Sequence, residues 1–250
     1  MTGTLYLIPT PLGTLPADDA RAMDAILPPD VRALAAGLDY FIAENAKTAR
    51  AFLKLVGVSH PLHTSLQEIQ IAELNIHTEA AALPALLAPI LAGKNAGLVS
   101  EAGAPAVADP GASLVRLAHK KGIRVCPLVG PSALLLGLMA SGLNGQSFAF
   151  HGYLPTDAAE RGKRIRMLEQ RSRQENQTQI FIETPYRNAA LLEALATHCA
   201  GSTLVCVATD LSLPTESVHT APAQSWQRDL TSARAPNFHK RPTVFLFLAH

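Results

Sequence analysis

Two carboxylates sit among residues too small to obstruct a ligand in the stretch from Gly97 to Gly111, Gly-Leu-Val-Ser-Glu-Ala-Gly-Ala-Pro-Ala-Val-Ala-Asp-Pro-Gly. Glu101 and Asp109 offer hydrogen-bond acceptors, Gly103 and the alanines leave the backbone bare, and Pro105 and Pro110 stiffen the turn. A third carboxylate, Glu44, opens a helical pattern in Glu44-Asn45-Ala46-Lys47. It is either a general base or an acid placed favourably at a helix amino terminus. Arg161, Lys163, Arg164, Arg166, Arg171 and Arg173 crowd one predicted helix. They read either as a phosphate-contacting face or as a solvated face paired with Glu160, Glu169 and Glu175.

The elements that must position these groups alternate along the chain. Thr4 to Ile8 reads as a strand running into Pro9-Thr10-Pro11-Leu12-Gly13, and Ala17 to Ile26 has helical spacing until Pro28-Pro29 stops it. Tyr40 to Ala43 and Asn95 to Ser100 are strands, and the pattern around Ile69, Ile71 and Leu74 fits a further strand. Helices are expected over Glu79 to Leu91, Ser113 to Lys121 and Leu134 to Ser141, and a strand over Ile123 to Leu128 ends in Val129-Gly130-Pro131-Ser132-Ala133. Such alternation argues a mostly parallel sheet covered by helices. Composition turns to Gly, Asn and Ser at Gly142 to Gly145, which suggests two domains, 1–143 and 144–250.

After that boundary come a strand at Phe148 to Phe150, a helix from Asp157 to Arg173, a strand from Gln179 to Ile182, a helix from Asn188 to His198 and a strand from Thr203 to Val207. A meander at Ser217 to Thr220, a short helix near Trp226 and a last strand from Thr243 to Leu248 complete the series, with Gln224 to Lys240 as a surface excursion.

Composition excludes several classes. With 250 residues, 48% apolar and a formal net charge of +1, the chain has ample core and no global field toward nucleic acid or anionic lipid, so any RNA contact must be a local patch. Met1 to Thr4 lacks a signal-peptide pattern, and no unbroken apolar run approaches the roughly 18 residues of a membrane span. Cys126, Cys199 and Cys206 have no CxxC spacing and read as reduced thiols of a cytoplasmic protein. His60 and His63 flank Pro61 without a partner nearby, so no metal is expected. Neither a GxGxxG nor a GxxxxGK pattern is present.

The three strand-end loops, Pro9 to Gly13, Ser100 to Gly111 and Pro127 to Ala133, occur in order with Phe150-His151-Gly152-Tyr153-Leu154-Pro155 and Phe181-Ile182-Glu183-Thr184-Pro185-Tyr186-Arg187. Together they resemble the tetrapyrrole-methylase superfamily of S-adenosylmethionine-dependent methyltransferases, and within it the group that methylates ribose 2′-oxygens of ribosomal small-subunit RNA. The resemblance implies an α/β fold of two α/β domains with the cofactor cleft between them, usually a homodimer, with ribosomal RNA or the small subunit as partner. It implies that Pro11, Leu12 and Gly13, then Ser100, Glu101, Gly103, Ala104 and Pro105, then Ser132 and Ala133 line S-adenosylmethionine, with Ile182 and Glu183 closing it from the second domain. Arg161, Lys163, Arg164 and Arg166 would meet RNA.

The chain departs from the group at two places. The group reads Ala-Glu-Asp-Thr-Arg where this chain has Ala43-Glu44-Asn45-Ala46-Lys47, which leaves Glu44 as the candidate catalytic base. It reads Arg-Glu-Leu-Thr-Lys where this chain has Ala208-Thr209-Asp210-Leu211-Ser212, so basic residues are missing. The chain also stops soon after Leu248, as a short, divergent member would. Three readings stand at this point: an RNA methyltransferase, a methyltransferase of a small tetrapyrrole-like ring, and a paralogue that binds the cofactor without turnover.

Overall fold

Five short apolar runs of the first half pair into one sheet. They are β1 (Thr4–Leu7), β2 (Tyr40–Ala43), β3 (Gln70–Glu73), β4 (Ala96–Val99) and β5 (Arg124–Pro127), ordered β3-β2-β4-β1-β5 with every neighbour parallel. The computed structural model describes residues 2–15, 23–232 and 234–250. Of the helix expected over Ala17 to Ile26, residues 17–22 lie outside the described residues.

Parallel neighbours cannot be joined by tight turns, so each connection crosses over through helical structure. Among the described residues, helices α1 (Pro29–Ala36), α2 (Ala46–Ser59), α3 (Leu83–Leu91) and α4 (Gly111–Lys120) serve this sheet. The period-2 alternation of the strands divides the side chains between its faces. Leu5, Ile42 and Leu98 pack with Leu87 and Ile90 of α3 and Leu114 and Ala118 of α4. On the opposite face Phe41 and Ile8 close over Gly97, where an added Cβ would lie 2.7 Å from the Phe41 ring. Gly97 is glycine because a neighbouring strand's aromatic fills its space.

The Pro28-Pro29 pair does more than stop a helix, as the sequence suggested. Pro28 is the amino-terminal cap of α1 and Pro29 its first residue, where a missing N–H costs nothing. The pair therefore begins a helix absent from the sequence reading. Arg32 of α1 is buried and held by the Asp24 carboxylate and by Ser59 Oγ at 2.9 Å.

The remaining strands form a different sheet. β6 (Phe148–Phe150), β7 (Thr178–Ile182), β8 (Leu204–Thr209), β9 (Ser217–Pro222) and β10 (Thr243–Leu248) are ordered β6-β7-β10-β8-β9. Only β6 and β7 run parallel; the other three pairs are antiparallel. On one face α6 (Ala158–Glu175), α7 (Asn188–His198) and α8 (Ala223–Thr231) meet Phe181, Val205, Val207, Phe245 and Phe247. On the other, α5 (Ala133–Ser141) lies against β8, β9 and β10, with Gly137 within 3.7 Å of Leu246, Val244 and Ala208 at its missing Cβ.

The chain divides into two compact units, Met1–Ser132 and Ala133–His250. The division falls before α5, because that helix packs on the second sheet; the glycine-rich stretch at Gly142 to Gly145 marks the helix's end instead. The described residues of Gln224 to Lys240 are mostly exposed, as expected of a surface excursion, but the segment is anchored in the core. Trp226 is 1% exposed with its indole N–H donating to Val205 O at 2.9 Å, and Phe238 is equally part of the core. A single large aromatic anchors the segment where few aliphatics are available. Among the described residues no helix is long and apolar enough to cross a membrane.

Candidate functional site: three loops at the end of a parallel sheet

In the first sheet the chain leaves β1 toward β2, passing β4, and leaves β4 toward β5, passing β1. Adjacent strands whose connections depart in opposite directions open a crevice at their carboxyl ends, where α/β sheets bind ligands. The loops after β1 and β4 meet at that point. Thr10 N donates to Gly103 O and Gly103 N donates to Thr10 O, each at 3.0 Å, and Thr10 Oγ1 donates to Ser100 O at 3.2 Å.

Gly103 is the point of convergence. Its φ of +77° favours glycine, and an added Cβ would stand 3.0 Å from Leu12 Cδ2 and 3.5 Å from Pro131 O, one atom from each of the other loops. Gly130 makes a second close approach: a Cβ there would fall 2.4 Å from the Pro9 ring and 2.9 Å from Leu27. The structure thus brings together Pro11, Leu12, Ser100, Gly103, Pro105 and the Pro131-Ser132 segment. Pro11, Leu12, Gly103 and Pro105 are buried, while Ser100, Ala104 and Ser132 are half-buried.

The carboxylates have separate tasks. Asp109 does not offer free acceptors, contrary to the expectation from sequence. Its oxygens accept from Ala106 N at 3.0 and 2.8 Å and from Gly111 N at 2.7 Å. These bonds hold a loop in which Ala106 and Ala108 take positive φ of 66° and 64°, an uncommon conformation for alanine. Asp109 shapes the loop and leads α4. Burial pushes its carboxyl above the ordinary aspartate range, against the opposing pull of those N–H groups.

Glu101 is exposed and its Oε1 accepts from the Thr48 hydroxyl at 2.7 Å, which fixes where the carboxylate points. Glu44 Oε1 accepts from Glu101 N at 3.4 Å, so Glu44 and Glu101 are neighbours although 57 residues apart. Burial raises the Glu44 carboxyl above its usual value; the Glu101 N–H pulls it down, and the charges of Asp109 and Glu101 add to the rise. Asn45 caps α2, its side-chain oxygen accepting from Lys47 N at 2.8 Å and Thr48 N at 3.4 Å, a task Asp would perform equally. Ala46 N donates to Glu73 Oε1 at 3.0 Å. The departures at 45 and 46 therefore leave the local frame intact.

Thr10, Thr48, Pro9 and Gly130 belong to this site and were not singled out as such. Thr48 lies one turn past a capping Asn, a position without any sequence signal toward Glu101. In the sequence Gly130 is one more loop glycine; prolines and glycines on separate loops give no hint of which will interlock.

Other expected site residues lie in the second unit. Ala133 begins α5, and Ile182 ends β7. The Glu183 side chain is 1% exposed; it accepts from Thr184 N at 2.8 Å and meets Arg187 Nη2 at 3.1 Å. Oε1 is engaged within its own turn, while buried Oε2 has the ion pair but no hydrogen bond among the described residues.

The basic residues of α6 do not form one face. Arg161 reaches back to Thr156 O at 3.0 Å, Lys163 pairs with Glu160 at 2.8 Å, and Arg166 Nη1 lies 3.1 Å from His198 Nδ1. Arg164 meets only the Met167 sulfur, at 3.8 Å, among the described residues. The cysteines are free, and burial raises the thiols of Cys199 and Cys206. Among the described residues no group of three or more His, Cys, Asp or Glu side chains is placed to hold a metal ion.

Comparison with known proteins gives the family of the chain. Residues 5–226 match the family model described as Tetrapyrrole (Corrin/Porphyrin) Methylases. Among curated proteins, the Ribosomal RNA small subunit methyltransferase I of Escherichia coli is 32% identical over 220 residues, spanning 88% of this chain and 69% of that one. Its Xylella fastidiosa namesake is 33% identical over 216 residues, spanning 86% and 71%. Among solved structures, the methyltransferase CobJ matches with a TM-score of 0.62 at 18% identity over 99% of this chain and 95% of its own. A uroporphyrin-III C-methyl transferase from Thermus thermophilus complexed with S-adenyl homocysteine matches with a TM-score of 0.57 at 14% identity, over 98% and 97%. At such identities the solved structures speak for the fold alone. The family model and the relatives above 30% identity carry the conclusion that this chain belongs to the tetrapyrrole methylase family of methyltransferases.

Proposed function

We propose that this chain transfers a methyl group from S-adenosylmethionine to RNA, and that the acceptor is a ribose 2′-hydroxyl of small-subunit ribosomal RNA. The observation that carries this reading is the likeness to relatives named Ribosomal RNA small subunit methyltransferase I over nearly nine-tenths of the chain. The tetrapyrrole alternative is supported by the family's general description and by fold, but by none of the curated relatives compared above.

The loops after β1, β4 and β5 suit the cofactor. Gly103, bare at φ +77° between Leu12 and Pro131, leaves a backbone cradle that any side chain would fill. When bound, S-adenosylmethionine supplies a methyl already activated on a sulfonium, so the chain's main task is alignment and exclusion of water. Pro11, Leu12, Gly13, Ser100, Gly103, Ala104, Pro105, Ser132 and Ala133 are the proposed lining. Glu101, aimed by Thr48, accepts a hydrogen bond from a hydroxyl or ammonium group of the cofactor.

Glu44 is the proposed base for the acceptor hydroxyl. A carboxylate with a raised proton affinity is a better base near neutral pH than an ordinary one, and its second oxygen is not engaged by Glu101 N. A homodimer in the cytoplasm completes the reading, testable by light scattering of the purified protein.

The experiment is calorimetric titration of S-adenosylmethionine into the wild type and Glu101→Ala, followed by tritiated-methyl transfer to deproteinised small-subunit RNA and to a small-molecule extract. Micromolar binding lost in the variant, with label in RNA at a 2′-oxygen, is the expected result. Label confined to the small-molecule fraction would overturn it.

A further inference from the structure

An RNA substrate needs a surface for its phosphates, and α6 presents two. Ile165, Leu168 and Ser172 face the core and separate the helix's cations into two flanks. Residues seven apart share a side of a helix, about 10 Å apart along its axis. Arg166 and Arg173 are one such pair and are both engaged. Arg166 lies against His198 of α7, and Arg173 Nε donates to His250 O at 3.0 Å. Arg164 and Arg171 are the other pair, on the side away from α7 and toward β6, one of the two edge strands of the sheet. Arg171 makes an exposed pair with Glu175 at 3.1 Å, of the kind worth little and readily exchanged. Arg164 has no carboxylate or carbonyl partner among the described residues.

His151, the first residue after β6, stands on this second side. Its ring stacks on Phe181 with centroids 5.5 Å apart, and its Nε2 is 2.6 Å from Gln179 Oε1. Gln179 Nε2 donates to Gln177 O at 2.9 Å, which turns the amide oxygen toward the ring. Nε2 of His151 therefore carries the hydrogen. Burial lowers the ring's proton affinity from the ordinary histidine value, with the Gln179 bond opposing and the cations Arg164 and Arg171 adding to the lowering. The neutral ring's Nδ1 is an acceptor without a partner among the described residues.

We propose that the β6 edge and the Arg164–Arg171 flank of α6 form a docking strip for the RNA backbone, with the two guanidinium groups on phosphates and His151 Nδ1 accepting from a ribose 2′-hydroxyl. This rests on the RNA reading above and deepens it. Phosphate contacts position nucleic acid of either sugar, while the 2′-hydroxyl is the donor that DNA lacks. The strip thus combines a salt-sensitive contact with one that distinguishes RNA from DNA.

The test is fluorescence anisotropy of the full chain with a labelled fragment of small-subunit ribosomal RNA and with DNA of the same sequence, across a salt series. Arg164→Glu should weaken RNA binding about tenfold and lower the slope of log affinity against log salt by about one. Arg164→Gln, which removes charge without reversing it, should weaken it severalfold with an unchanged melting temperature. Arg173→Glu, on the engaged flank, should change affinity less than twofold. His151→Ala should lower RNA affinity severalfold and leave DNA affinity alone. Equal losses from Arg173→Glu and Arg164→Glu, or equal losses of RNA and DNA affinity from His151→Ala, would overturn the strip while leaving the RNA reading in place. A wild type that binds no RNA would overturn both.

Discussion

The two sheets have five strands each, yet one delivers all its carboxyl-end loops to one edge and the other divides them between two. In the first, every strand runs the same way, so all five carboxyl ends lie on one edge and the loops after β1, β4 and β5 are delivered to one place. In the second, β9 and β10 run against β6, β7 and β8, so the loops are divided between the two ends of the sheet. Its polar residues are used to tie its own loops down. Asn188 Nδ2 donates to Phe238 O at 3.0 Å and Arg241 O at 2.8 Å, and Asp210 Oδ2 accepts from Arg241 Nε at 2.7 Å and Thr215 Oγ1 at 2.6 Å. Strand direction decides where each sheet delivers its loops.

Substitutions should separate these roles. The largest effect is expected from Asp210→Ala, which leaves Arg241 without its carboxylate in a mostly buried pair. A loss of about 3 kcal/mol is expected, read from denaturant unfolding, with S-adenosylmethionine affinity of the folded protein unchanged. A variant of ordinary stability and weakened binding would break the contrast.

Gly130→Ala should act on the other unit. The Cβ meets a rigid Pro9 ring at 2.4 Å, so the β1 and β5 loops must part, at about 2 kcal/mol. Calorimetry should then find cofactor binding at least tenfold weaker. Gly137→Ala is its counterpart in α5 of the second unit, where the added methyl meets neighbours only at 3.6 Å or more. Relief of glycine's entropy in a helix should raise stability by about 0.5–1 kcal/mol and leave binding as it is. Matching behaviour of the two alanines would refute the distinction.

Thr48→Ala frees the Glu101 carboxylate, for an expected three- to tenfold weakening of S-adenosylmethionine, about 1 kcal/mol, with Thr48→Ser restoring it. The smallest effect on stability concerns Glu44. Its raised proton affinity in the folded state means that the charged form opposes folding at neutral pH. That cost vanishes as pH falls through the folded value toward the unfolded one. Glu44→Gln should therefore melt slightly higher than the wild type at pH 7 and equally in acid, while methyl transfer is lost. A pH-independent difference in melting would assign Glu44 a packing role instead.

Much of this was legible in the residues, and for identifiable reasons. Strand-ending Pro and Gly clusters announce loops locally, so Pro9 to Gly13, Ser100 to Gly111 and Val129 to Ala133 could be marked, and the periodicities of β1, β2, β4, α4 and α7 follow from side-chain burial on one or both faces. Local rules failed where one residue serves two elements, as with Pro28-Pro29, and where one aromatic replaces many aliphatics, as with Trp226. They also failed for α6: six cations within one helix look like one surface until the core claims the strip between Arg164 and Arg166.

The sequence by itself determined the alternation of strands and helices, the loop positions and the family, since each depends on residue types close together in the chain. Only the tertiary structure decided that Asp109 is consumed by its own loop, that Thr48 aims Glu101 from 53 residues away, and that Gly103 is where three loops meet. Those facts depend on strand order and register, which set distances between residues far apart in the chain and leave no mark on local composition.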